Sequence, residues 1–451
     1  MSEWPTPNGA EPRLPAEARS AVTPIVKNPP AAPESCAVAG NLTTPVREPP
    51  PAPERVVLCG GAYSDNLGDV IIADCLAYAL SQHLPRTQIV RMDISGRLEY
   101  GAAGFGPRGR IMRLLRAFPK VIGNFLALFA GSWYVKRVIE PSWRRTLAHG
   151  DAIVIGGGQL FQDEHLNFPI KIWWLVRNIR RNSAGTAVYS VGVSREWSLL
   201  GRLLFRPVFR SPRLYCSVRD LRSKENLLTH LPQIAPSEVR VDPDPALLAH
   251  LVYRVGSGTM AKQFDVGIGL MDPSMLRYDP RQRHTAFDST THKWISLIQE
   301  LLSMKFSIGL FTNGTREDVA YLKHVAQEFQ TSPQLTILER ASNPADFVSN
   351  MSRMRSTISH RLHASIVSYS LDVPSIGLQW DPKVESFYAM CDREEWIVDF
   401  SALSAREIAH RGSALVGSTI DPAARDTVVR DCCAGVGRLA SYLSQLAHDP
   451  H

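Results

Sequence analysis

The feature that most restricts how this chain can fold is its repeated alternation of short apolar runs with longer amphipathic stretches. VVLC (56–59), TQIVRMDI (87–94), DAIVIGGG (151–158), TAVYSVGVS (186–194), LYCSVRD (214–220) and VRVDPDPAL (239–247) are rich in β-branched residues, and most run into glycine, serine, aspartate or proline. Parallel neighbours in a sheet need a helical crossover, and strands buried on both faces read as apolar runs. Alternation of this kind therefore predicts a parallel sheet wrapped on both faces by helices. The series starts again near residue 260 with FDVGIGLM (264–271), FSIGLFT (306–312), LTILE (335–339), RSTISH (355–360) and PSIGL (374–378). Helices are predicted over 292–304, 316–329 and 343–354, the last capped by Asn343. The predicted fold class is α/β, with two doubly wound domains facing across a cleft. The first covers 55–255; the second covers 256–451 and includes the C-terminal helices.

Residues 1–54 hold thirteen of the 32 prolines and are predicted to be a disordered tail, because such a segment cannot bury enough apolar surface to fold. The net charge of +7 is uneven: 97–145 carries ten Lys or Arg against two Glu. That distribution argues against a nucleic-acid binder and for one segment with an anionic partner, or a solvated basic face. The seven cysteines form no C-x-x-C pair, which suits a reducing compartment. No leader pattern opens the chain, and no apolar run reaches the roughly 18 residues of a membrane span. A cytoplasmic, non-spanning protein is expected, with no metal cluster.

Polar and cationic residues gather where strands end, which is where sheets of this kind hold ligands. Gly60 to Asp69 (GGAYSDNLGD) joins a strand to a helix expected from about Asp69, and reads as an anion or hydroxyl site or as a tight turn with Asp69 as cap. Gly156-Gly157-Gly158-Gln159 allows close approach of a ligand or of a second backbone. Arg219 ends another strand, either to grip a carboxylate or phosphate or to contact Asp220. Asp242 and Asp244, each followed by proline, read as a further strand-end signal or as turn and cap residues. Ser359 to Lys383 (SHRLHASIVSYSLDVPSIGLQWDPK) places Arg361 and His363 after one strand and Lys383 after the next. Long cations are seldom buried unpaired, and three Lys/Arg with one His suit a small, doubly anionic molecule.

With these pieces in order, the sequence resembles the polysaccharide pyruvyl transferase family. SDNLGD (64–69), VIGGGQLFQD (154–163), SVGVS (190–194), SVRDLRS (217–223), VDPDPALL (241–248), SHRLHASIVSYSLDVPSIGL (359–378) and WDPK (380–383) carry the resemblance. It covers about 56–390 and leaves out the proline-rich head, the Cys432-Cys433 tail and the loop 274–292. It implies two Rossmann-like domains arranged as in glycosyltransferase-B enzymes, acceptor side first and donor side second. It also implies phosphoenolpyruvate as donor, a saccharide acceptor that is free or lipid-linked, pyruvate ketal formation and no cofactor. Arg219, Arg361 and Lys383 are then expected to hold the donor, with His363 as general acid. Asn66, Gly157 and Gly158 would face the acceptor, and Asp69 would be a base. The competing readings are a nucleotide-sugar glycosyltransferase on the same architecture and a non-catalytic sugar-binding relative. Finally, GRIMRLLRAF (109–118) sets Arg110, Arg113 and Arg116 opposite Ile111, Leu114, Leu115 and Phe118, beside the apolar stretch 121–135. This pattern predicts peripheral contact with an anionic membrane at its inner face, or helices packed on the first sheet.

Overall fold

A computed structural model describes residues 52–100, 120–179, 185–211, 213–255, 261–276 and 283–448. Six parallel strands form the first sheet: β1 (Arg55–Gly60), β2 (Gln88–Asp93), β3 (Ala152–Gly156), β4 (Gly185–Val191), β5 (Tyr215–Val218) and β6 (Val239–Val241), in the order β2-β1-β3-β4-β5-β6. A second parallel sheet follows: β7 (Phe264–Gly269), β8 (Ile308–Phe311), β9 (Leu335–Ile337), β10 (Met354–Ser359), β11 (Ser375–Leu378) and β12 (Ile397–Val398), in the order β12-β11-β10-β7-β8-β9. Each apolar window predicted to be a strand contains one. β12 escaped because its two residues within EEWIVDF carry no periodicity. The two sheets with their flanking helices are the α/β architecture the alternation predicts.

The helices that matter below are α1 (Leu67–His83), α2 (Lys120–Tyr134), α3 (Glu140–Thr146), α4 (Asn167–Ile179), α5 (Leu199–Phe205), α6 (Leu221–His230), α7 (Arg283–Ser303), α8 (Arg316–Ala326), α9 (Pro344–Ser352), α10 (Leu362–Ser370), α11 (Pro382–Met390), α12 (Ala405–Val416) and α13 (Pro422–His448). A π-turn, Val135–Ile139, joins α2 to α3. The predicted cap of α9 is present: the Asp346 N–H donates to Asn343 Oδ1 at 3.0 Å. Two helix starts differ from expectation. α1 opens at Leu67, because Asn66 is its cap and accepts from the Gly68 N–H at 3.2 Å; Asp69 lies within its first turn. The loop expected over 274–292 is helical from Arg283 onward, while 277–282 lie outside the described residues. So do 1–51, which hold most of the proline-rich tail, and the basic stretch 109–118 with Arg110, Arg113 and Arg116.

Side chains alternate across the first sheet, so each face builds its own core. Val57, Ile153, Ile155 and Val188 pack under α3, α4 and α5. Val56, Leu58, Val154 and Ala187 face α1 and α13, and this second cluster runs on without a break into Phe264, Met354, Leu362 and Val367 of the second sheet's side. The two halves thus share apolar core. Helix α13, last in the chain, returns to the first sheet: Arg438 meets Asp242 at 2.5 Å, and Tyr442 Oη donates to the Thr186 carbonyl at 3.1 Å. No helix among the described residues is long and apolar enough to cross a membrane.

Candidate functional site

The first sheet changes direction between β1 and β3, and the second between β7 and β10. Crevices open at such switch points, beyond the carboxyl ends of the strands. After β1, Asn66 caps α1, and its Nδ2 reaches Asp69 Oδ2 at 3.4 Å beside the Ser64 hydroxyl at 3.2 Å. After β3, Gly157 and Gly158 take φ of +75° and +69°, a region that favours glycine. A Cβ at Gly157 would lie 2.3 Å from Ile72, so that glycine is demanded by packing on α1. A Cβ at Gly158 would lie 3.2 Å from Asp69 Oδ1, which places the glycine pair and Asp69 side by side.

From the second sheet, the peptide after β10 delivers Arg361 as the residue preceding α10 and His363 within its first turn. The His363 ring lies directly on Gly68, where any Cβ would come within 2.3 Å of it. The close fit needs glycine in α1 and fixes the ring against that helix's N-terminus. His363 Nε2 and Asp244 Oδ2 face each other 3.8 Å apart, and neither buried atom has a hydrogen-bond partner. That gap is too long for a hydrogen bond. Asp244 Oδ1 meanwhile accepts from the Ala246 N–H at 3.0 Å, the cap role its sequence suggested. Burial pushes the Asp244 carboxyl up, but His363 and Arg219 more than offset this and hold it below the usual range. Asp242 is structural, bound by Tyr215 and Arg438.

Arg219 follows β5, packs flat against Gly192, and donates from Nε to Asp220 Oδ2 at 3.2 Å. The internal contact read as an alternative therefore exists, but it engages only one edge of the guanidinium. Lys383 enters at the start of α11, capped by Asp381. Its Nζ lies 3.3 Å from Gln159 Oε1 in the opposite half and 4.3 Å from the centre of the Trp380 ring. Burial first, then Arg219 and Arg361, lower its pKa to about 8 against the opposing pull of Asp381 and Asp69. Arg361 turns away: its Nη2 meets the fully buried Asp318 Oδ2 at 2.5 Å.

Arg219, Asp220, Asp244, Leu362, Lys383 and Phe387 help line a narrow cleft between the halves. Arg361, His363, Asn66, Asp69, Gly157 and Gly158 do not line it. Sequence reasoning assigned no role to Asp318 or Asn313, and it named Gln159 and Asp244 without their partners Lys383 and His363. The buried Asn313 side-chain amide has no hydrogen-bond partner, while the residue's backbone carbonyl accepts from the Leu67 N–H at 3.0 Å. An N-G pair after a strand was the only local sign of it. Among the described residues, no group of acidic, histidine or cysteine side chains is placed to hold a metal.

Among solved structures, the chain is similar to the UDP-GlcNAc 2-epimerase of Methanocaldococcus jannaschii in complex with UDP-GlcNAc and UDP: 10% identity, 83% of this chain and 98% of that one covered, TM-score 0.47. It is also similar to the UDP-N-acetylglucosamine 2-epimerase of Rickettsia bellii, at 10% identity over 87% and 94% of the two chains with a TM-score of 0.48. No curated protein matches it. The profile of the polysaccharide pyruvyl transferases matches residues 66–382, from the cap of α1 to the first residue of α11. That span takes in every residue brought together around the cleft except Lys383 and the α11 residues beyond it, and the chain belongs to the polysaccharide pyruvyl transferase family.

Proposed function

We propose that this protein transfers pyruvate from phosphoenolpyruvate to two hydroxyls of a saccharide, forming a ketal and releasing inorganic phosphate. The observation that carries the reading is the convergence of Arg219 and Lys383 on a small cleft. Arg219 from the end of β5 and Lys383 from the start of α11 reach the same cleft from opposite halves, beside Asp220 and Asp244, and paired cations of this kind suit the carboxylate and phosphate of one small donor. In the reaction, the methylene carbon of the donor gains a proton and one sugar hydroxyl bonds to the adjacent carbon. The carbon–oxygen bond to phosphate breaks, and the second hydroxyl closes the ketal. Of the two hydroxyl protons, one balances the new methyl group and the other leaves with phosphate. No cofactor beyond the donor is required. Arg219 and Lys383 neutralise carboxylate and phosphate, His363 supplies the proton with the Asp244 carboxylate facing its ring, and Asp69 with Asn66 and Gly158 meets the acceptor. The acceptor is a sugar of a cell-surface polysaccharide or of its lipid-linked precursor. The six described cysteines are all free thiols, which supports a cytoplasmic setting.

Purified protein given phosphoenolpyruvate and galactose-, mannose- or glucose-type acceptors is expected to release phosphate and yield a pyruvylated product by mass spectrometry. In a thermal-shift assay phosphoenolpyruvate should raise the melting temperature. Protection by a nucleotide sugar alone would instead assign a glycosyltransferase. Saccharide binding with no phosphate release under any donor would assign a binding module.

Lys383 also predicts a pH dependence. Its lowered pKa means that the free protein loses this cation as pH rises through about 8. kcat/KM for phosphoenolpyruvate should fall above that pH, and Lys383→Arg, which keeps its charge, should move the falling limb upward. A profile unchanged by that substitution would remove Lys383 from donor binding.

A further inference from the structure

The face of the first sheet opposite α1 carries a surface that the transferase chemistry does not use. Helices α2 to α5, with the π-turn between α2 and α3 and the 3₁₀ turn Arg206–Arg210, make one layer there, α4 touching both α2 and α5. Their inner sides are apolar core. Their outer sides should then be polar, yet Leu126, Phe129, Trp133, Val138, Leu199 and Leu203 are exposed, the two aromatics by 63% each. Of the ten large hydrophobic side chains exposed among the described residues, six stand on this layer. On α2, residues 126, 129 and 133 fall at helical spacing on one face, so the exposure is a stripe rather than scatter.

The charge of the layer is as one-sided as its hydrophobicity. These segments contain ten Lys or Arg and a single acid, Glu140, which is buried and held by Arg144. Lys136, Arg137, Arg177, Arg202 and Arg206 are exposed. Lys136 Nζ lies over the Trp174 ring at 5.1 Å and the Arg177 guanidinium over Trp173 at 4.7 Å, so cations and aromatics interleave. A solvated protein face gains nothing from exposed Trp, Phe and Leu, and a partner protein's core would not welcome so much uncompensated positive charge. A bilayer with anionic headgroups satisfies both features, since the acyl boundary takes the apolar stripe and the headgroups take the cations.

We infer that this helical layer docks the protein on an anionic lipid surface through the exposed α2 stripe and the basic α5 face. The inference does not depend on the transferase reading, and the test is separate from activity. The full-length protein is sedimented with vesicles of phosphatidylcholine alone and of phosphatidylcholine with phosphatidylglycerol. Pelleting with the second only, weakened by added salt, is expected. Arg202→Glu/Arg206→Glu should lower affinity for the anionic vesicles by at least about fivefold for each cation removed. Phe129→Ser/Trp133→Ser should lower it without changing the salt dependence. All four side chains are exposed, so far-UV circular dichroism and the thermal melt should match those of the parent protein. Equal recovery with both vesicle types, or anionic binding untouched by both double variants, would overturn the inference. So would concentration-dependent dimerisation abolished by Phe129→Ser/Trp133→Ser without vesicle binding, which would give the face to a second copy.

Discussion

His363→Ala is expected to lower kcat by about 10²- to 10⁴-fold, the range typical of a lost acid–base group. Its KM for phosphoenolpyruvate should change far less, because the cleft's cations remain. The ring is largely buried against Gly68, so some stability is lost as well, on the order of 1–3 kcal/mol by chemical denaturation. Asp244→Asn separates the two contributions. It keeps an oxygen for the Ala246 cap but removes the charge that faces His363 at 3.8 Å. A positioning role predicts a smaller fall in kcat together with a displaced pH profile. Unchanged kcat with a raised donor KM in His363→Ala would make the histidine a donor ligand and not the acid.

The second large effect is on stability. Arg361→Ala should destabilise the protein by about 3–5 kcal/mol, since removing one partner strands a buried charge. Asp318 is fully buried, its Oδ2 meets Arg361, and its Oδ1 accepts the Asp272 N–H at 2.8 Å. Burial already raises the Asp318 pKa, against the pull of Arg361. Without the arginine that pKa rises further above its unfolded value. A carboxyl with a raised folded pKa contributes most at acid pH and loses that contribution as pH climbs through the folded value. The deficit of Arg361→Ala relative to the parent should therefore be largest near neutrality and shrink as pH falls, and Asp318→Asn should recover part of it in the double variant. Normal stability with a raised donor KM would make Arg361 a donor ligand alone. This pairing also means that weak donor binding by Arg361→Ala, taken by itself, would not locate the donor.

The signals legible in the sequence were local ones. Apolar runs of four to eight residues set the strands, because burial on both sheet faces demands them, and an Asx side chain three residues ahead of a free N–H set the α9 cap at Asn343. Positions at strand ends followed from the same reading, so Arg219, His363 and Lys383 were found without knowing their partners. The partners themselves were decided by the crossovers. Lys383 meets Gln159 from 224 residues away, Arg361 meets Asp318 from 43, and α13 returns to Asp242 from 196. Nothing in the period of a helix or strand encodes such distances; they arise when two sheets share one core and their edges are pressed together. Two glycines mark the difference. Gly157, in a segment read as room for a ligand or a second backbone, packs against Ile72, and Gly68, in a segment read as a ligand site or a tight turn, makes space for His363 from the other half. A side chain's neighbours across a cleft depend on where the backbone leaves space, and that is settled only when both halves are folded against each other.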